Sequence, residues 1–83
     1  IADGNAEAIS FVVPAGAPYC GITMAKLHIK ADILVASIIR EKEVIIPKGD
    51  DFFNAGDLVV IVVTAGRTIE SLSEIFETGV FEK

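Results

Sequence analysis

The stretch Leu58-Val-Val-Ile-Val-Val63 is an unbroken aliphatic run that follows the turn sequence Asn54-Ala-Gly-Asp57. β-Branched residues in such a run, with no polar alternation, predict a strand buried on both faces. Ile33–Arg40 makes a similar demand. Leu34, Ala36, Ile38 and Arg40 alternate onto one face, and Ile33, Val35, Ser37 and Ile39 onto the other. Two apolar faces need two covers. One is the domain's own core, and the other is most simply the same strand of a second copy. The aliphatic run falls far short of the ~20 residues that cross a bilayer, so no membrane insertion is expected.

With 83 residues the chain has room for one domain. A domain this small buries roughly 60–65% of its unfolded surface and is marginal as a monomer. An apolar content of 52% is high for a lone small domain and points to cover by another copy or domain. The net charge is −5, and the seven Lys and Arg residues are interrupted by acids throughout. No basic stripe forms, so neither nucleic acid nor an anionic membrane surface is an expected partner. Cys20 is the only cysteine, which precludes an intrachain disulfide and a multi-cysteine metal site and fits a reducing cytoplasm. No signal peptide is visible, and a chain that opens on Ile1 instead of Met reads as a piece of a longer protein.

Residues 1–7 read as a linker or frayed terminus and 8–83 as the domain. Ala8–Val13 predicts a strand that stops at Pro14. In Gly21–Leu27, Thr23 offers an N-cap, and Met24 and Leu27 have the spacing of a helix of one or two turns. Ile33–Arg40 and Glu43–Ile46, separated by Glu41-Lys42, predict a hairpin. Pro47–Asp51 and Asn54–Asp57 read as turns. A second helix is predicted over Thr68–Glu77: Thr68 caps it, Glu70 suits its first turn, Ile69, Leu72, Ile75 and Phe76 share a face, and Gly79 ends it. The resulting order, β-α-β-β-β-α, is a small α+β domain with a mostly antiparallel curled sheet and two short helices.

Several motifs recur in a known order: Gly21, Thr23 and Leu27; then Ser37-Ile-Ile-Arg40; then Val44-Ile-Ile-Pro47-Lys-Gly-Asp50; then Asn54-Ala-Gly-Asp57-Leu-Val-Val-Ile61. Over Gly21–Val63 the chain resembles the TrkA-C family, also called the RCK C-terminal domain. The resemblance implies a regulatory domain that follows a Rossmann-type nucleotide-binding domain in the parent chain and acts on a membrane potassium transporter or channel. It also implies a homodimer that is cytoplasmic and peripheral to that transporter, with small ligands bound at the dimer interface in some members. Cyclic di-AMP is the best known of these ligands, and other members use divalent metals. The dinucleotide motif Gly-x-Gly-x-x-Gly occurs nowhere in the chain, so no NAD or ATP site and no resident cofactor is assigned.

Weighed residue by residue, catalysis finds little support. His28 has Asp32 four residues on but no nucleophile or oxyanion device, which favours a solvated histidine over a general base. Cys20 precedes a short predicted helix and has no partner histidine, so a half-buried thiol is favoured over a nucleophile. Asp50, Asp51 and Asp57 lack calcium-loop spacing and read as turn stabilisers. Arg40 ends its strand where an acid such as Glu43 or Asp57 can pair with it. We therefore read the chain as a non-enzymatic ligand-sensing and dimerisation domain of a potassium uptake regulator. His28, Lys30 and Arg40 are candidates for an anionic ligand, since imidazole and ammonium both donate to phosphate. Ile33, Leu34, Val35 and Ile39 are the candidate interface. The alternative is a purely structural dimerisation module without a ligand, to which Leu34 points because it cannot hydrogen-bond a base edge.

Overall fold

A computed structural model describes residues 4–81. The expectations for residues 1–3 of the linker and for 82–83 lie outside the described residues. Six strands run β1 (Ala6–Val12), β2 (Leu27–Ile29), β3 (Leu34–Arg40), β4 (Glu43–Ile45), β5 (Leu58–Thr64) and β6 (Phe76–Phe81). Four form an antiparallel sheet in the order β1-β5-β3-β4, and β2 and β6 pair antiparallel in a separate ribbon.

The expected α+β architecture with two helices is not found. Among the described residues there is no α-helix, only a short 3-10 turn at Leu72–Ile75. In Gly21–Leu27 the backbone donors are drawn to the neighbouring loop. Gly21 N–H bonds to the Phe53 carbonyl, Met24 N–H to Asp51 and Ala25 N–H to Gly49. Thr23 forms a β-bridge with Phe52. Lys26 N–H and Leu27 N–H both reach back to the Thr23 carbonyl, giving a single turn that is not continued.

The second expected helix fails for a different reason. Ser71 stands at the head of the 3-10 turn, where the Glu74 carboxylate accepts from its N–H at 2.9 Å. Phe76 then turns extended and starts β6, with Gly79 inside that strand. Ile69, Leu72, Ile75 and Phe76 are all buried, as a shared apolar face requires, but a 3-10 turn running into a strand puts them there. The spacing alone admits either solution.

The core lies between the inner face of the four-stranded sheet and the segments that cross it. Val35, Ile38, Val59, Ile61 and Val63 supply the sheet side, and Val13, Tyr19, Leu27, Phe53, Leu72, Ile75 and Phe76 pack over them. Tyr19 meets Phe53 edge-on at 5.9 Å and Phe76 at 4.8 Å between ring centroids, within the range of favourable aromatic pairs.

β5 was expected to be buried on both faces. Within the chain only its Val59, Ile61 and Val63 face is buried, while Leu58, Val60 and Val62 are half-exposed. Strict alternation along β3 also breaks, because a bulge lies between Val35 and Ser37. Ala36 is the extra residue, so Val35 and Ile38 both face the core and Leu34, Ser37 and Ile39 face outward.

The β3–β4 hairpin closes directly from Arg40 to Glu43, which puts Glu41 at φ 56°, in the left-handed region. A side chain there costs about 1–2 kcal/mol, of which glycine would return about half after its own entropic cost. Glu41→Gly is therefore expected to stabilise the domain by about 0.5–1 kcal/mol and to raise the chemical-denaturation midpoint.

Candidate functional site

The three residues proposed for an anionic ligand are placed in two sheets. His28 lies on β2 and is exposed, and its Nδ1 lies against the Gly79 carbonyl of β6. A carbonyl only accepts, so Nδ1 carries the proton and Nε2 is left free to accept. Lys30 follows directly after β2 and is half-buried. Its N–H bonds to the Ile75 carbonyl at 2.9 Å, and its own carbonyl accepts from Ile33. The β2–β6 ribbon thus holds the backbones of His28 and Lys30 two residues apart beside one pairing seam.

Arg40 stands at the end of β3 in the other sheet, and its guanidinium is already committed. Nε and Nη2 donate to the two carboxylate oxygens of Asp57 at 2.9 and 2.8 Å. Nη2 also donates to the Phe52 carbonyl at 2.9 Å, and the group lies 5.8 Å from the centre of the Phe52 ring. Of the acids expected to pair with Arg40, Asp57 is the one that does. A ligand could meet Arg40 only at Nη1.

Asp57 is only 2% exposed, the one buried charged side chain among the described residues. Besides Arg40 it accepts from Asn54 N–H at 2.7 Å. Burial by itself would push its carboxyl up. The Arg40 hydrogen bonds, the Asn54 N–H and the Arg40 charge together outweigh burial and hold it below the usual carboxylate range. The neighbouring turn uses its acid in the same way, with Asp51 accepting from Lys48 N–H at 2.7 Å. Among the described residues no group of three or more His, Cys, Asp or Glu side chains is placed to hold a metal ion.

The four residues proposed for a subunit interface divide between core and surface. Ile33 and Val35 are buried at 7% and 9% exposure, whereas Leu34 is 61% exposed and Ile39 half-buried. The bulge at Ala36 explains why Val35 and Ile39 part company. Leu34 and Ile39 belong to the outer face of the four-stranded sheet, which also carries Val12 and Val44, each 64% exposed, and Val60 and Val62 of β5. Its polar positions are Ser10, Ser37 and, at one end, Thr64, and none of its side chains is charged. Sequence reasoning found two members of this face and missed the rest. The available signal was the double-faced apolar run of β5, once its neighbours β1 and β3 were known. A separate cleft of about 290 Å3, walled by Phe11, Pro14, Pro18, Tyr19 and Leu72, contains none of the candidate residues.

The two ion pairs differ in worth. Arg40→Ala leaves a buried carboxylate without its partner and is expected to cost about 3 kcal/mol in equilibrium unfolding. Arg67→Ala breaks only the exposed pair with Asp32 and should cost less than about 1 kcal/mol. Because the folded Asp57 carboxyl is lowered, its stabilising contribution is present above the unfolded value near pH 4. It is lost as the pH falls through the lower folded value, so Asp57→Asn should flatten the stability curve below about pH 4.

Similarity to known proteins falls along almost the whole chain. The TrkA-C domain model matches residues 8–78. A Trk system potassium uptake protein TrkA homolog of Archaeoglobus fulgidus is 36% identical over 73 residues, covering 88% of this chain and 16% of the relative. A Trk system potassium uptake protein TrkA homolog 1 of Methanosarcina mazei is 30% identical over 79 residues, covering 95% of this chain and 17% of the relative. The chain thus spans less than a fifth of the length of these relatives. Among the described residues no helix is long and apolar enough to cross a membrane. The strand ladder that presents Arg40, the Asn54–Asp57 turn and the aliphatic β5 lies within the matched region, and the chain belongs to the TrkA-C domain family.

Proposed function

We propose that the chain is a regulatory domain of a potassium uptake system, acting in the cytoplasm beside a membrane transporter and sensing a small anionic ligand. The observation that carries this reading is the family match across residues 8–78, with relatives named as Trk potassium uptake proteins. The small share of those relatives that the chain covers leaves room in a longer parent for a Rossmann-type nucleotide-binding domain. His28 and Lys30 on the β2–β6 ribbon are the polar groups that suit an anion. The Lys30 ammonium carries three donors, and His28 Nε2 adds a donor to an anion when the ring is in its imidazolium form, while Arg40 stands in the other sheet with only Nη1 uncommitted.

The mechanism is a population shift. A ligand that binds one arrangement of the assembled domains more tightly than another moves the balance by no more than that difference in affinity. The attached domains carry the new arrangement to the transporter. No nucleophile–base pair supports a reaction at this site, and the reading assigns none. Leu34 favours a second reading, a purely structural dimerisation module, because it is an exposed aliphatic side chain that cannot hydrogen-bond a base edge.

A thermal-unfolding series with cyclic di-AMP, adenine nucleotides and divalent cations tests the sensor reading. Ligand at about 100 times its dissociation constant contributes roughly 2.7 kcal/mol, which raises the midpoint by several degrees in a domain of this size. A rise with cyclic di-AMP that disappears in Lys30→Ala supports the site. If none of the probes moves the midpoint of the folded domain, ligand sensing is rejected and the structural module stands.

A further inference from the structure

We propose that the free edge of β1 docks an extended, basic peptide segment of another protein. The segment adds to the four-stranded sheet as a fifth strand and seats an apolar side chain in the cleft beside Phe11 and Tyr19. The proposal goes beyond the regulatory reading and uses none of the residues assigned to the anionic ligand.

The two edges of the sheet are built differently. β4 has three residues, opens on Glu43 and is followed by Ile46 and Pro47. A short strand with a charge at one end and a proline beyond the other is a poor template for pairing. β1 has seven residues in unbroken register with β5, and from Ala8 to Val12 it carries no charge, proline or bulge. Among the described residues, the backbone of 6–12 makes no hydrogen bond outside the β5 ladder. In an antiparallel pair alternate residues turn their N–H and C=O away from the partner, so β1 offers a row of open donors and acceptors.

The cleft opens on that same edge. It touches both Phe11 and Val12, whose side chains leave opposite faces of β1. No residue of β5 lines it, although Leu58 stands directly opposite Val12. A hollow that reaches both faces of a strand and avoids its one neighbour lies on the strand's free side. Pro14, Pro18, Tyr19 and Leu72 give it apolar walls, and its volume of about 290 Å3 suits one large side chain. In strand addition the backbone ladder supplies affinity, and pockets for alternate side chains supply specificity. Both parts are present along β1.

Charge selects the occupant. Glu70 borders the cleft, Glu7 stands near the other end of β1, and both are exposed. Among the described residues neither carboxylate takes a salt bridge or a hydrogen bond. With a net charge of −5 on the chain, the edge favours a segment with Lys or Arg on either side of its apolar anchor and repels an acidic one. A second copy fits poorly. Centred antiparallel pairing of β1 with itself sets Glu7 of each copy at the Phe11–Val12 end of the other, beside Glu70. Like charges would then meet twice.

Selection of the purified chain against a random library of peptides about nine residues long, enough to span β1, tests the proposal. The expected binders carry one bulky apolar residue flanked by Lys or Arg. The best binder is then synthesised with N-methyl groups on alternate backbone amides, in both phases. Strand addition predicts that one phase abolishes binding in fluorescence polarisation and the other leaves it nearly unchanged, because only alternate amides face β1. Glu70→Lys, an exposed position, should weaken the wild-type complex by about tenfold or more, whereas Glu77→Lys on β6 should not. Circular dichroism and a cooperative melt verify that both variants fold. A library that yields no binder overturns the proposal, as does enrichment of acidic peptides. Equal effects of the two methylation phases, or a complex indifferent to Glu70→Lys, overturn it as well.

Discussion

The Asp57 carboxylate is where three parts of the chain are tied. It takes two hydrogen bonds from Arg40 at the end of β3 and one from Asn54 N–H, which closes the turn leading into β5. Through the backbone the same residue reaches β1's end: Val13 N–H donates to the Asp57 carbonyl, and Gly56 N–H donates to Val13. Gly56 sits at φ 88°, where a side chain would strain the turn. A buried charge is costly unless its lone pairs find donors, and here the donors come from the end of β3 and from the turn that leads into β5. The order β1-β5-β3 is thereby pinned at one end by a polar knot and along its length by aliphatic packing. This also explains why Arg40, which the sequence offers as an ion-pair partner ahead of a ligand contact, is largely spent on structure.

The four strands of the larger sheet were legible because their local chemistry agrees with their tertiary setting, whereas β2 and β6 were not read as strands. Pro14 stops the first, the Asn54–Asp57 turn opens β5, and the Glu41-Lys42 pair separates β3 from β4, all as read from residues alone. The helices were misread because spacing cannot settle what the backbone donors do. In Gly21–Leu27 the carbonyls of the 49–53 loop outcompete the helical ladder. In the C-terminal segment the positions 69, 72, 75 and 76 are equally served by a 3-10 turn feeding a strand, and β2 supplies the partner that makes the strand worthwhile. That partner is more than forty residues away, beyond the reach of a local pattern.

The candidate site was legible in chemistry more than in placement. His28 and Lys30 do share one ribbon, but nothing in the spacing announces that Arg40 belongs to the opposite sheet. At the surface, a single inserted residue, Ala36, defeated period-two reasoning: it sends Val35 and Ile38 inward together and leaves Leu34 and Ile39 outside. The surplus of apolar surface, by contrast, was readable from composition. β3 and β5 carry more aliphatic residues than one core can bury, and the open sheet face is where the surplus emerges.

The strand order has a consequence for how the chain reaches this state. β5, which β1 and β3 flank, is the fifth of six strands to be synthesised, and its partner β1 lies some fifty residues earlier. β1 therefore waits, extended and aliphatic, while only the β3–β4 hairpin can pair locally. Closing so long a loop before any contact rewards it sets folding toward the slower millisecond-to-second regime of non-local β topologies. During that interval β1 and β3 each show an open edge to the rest of the cell, and the arrival of β5 closes one edge of both strands in a single step.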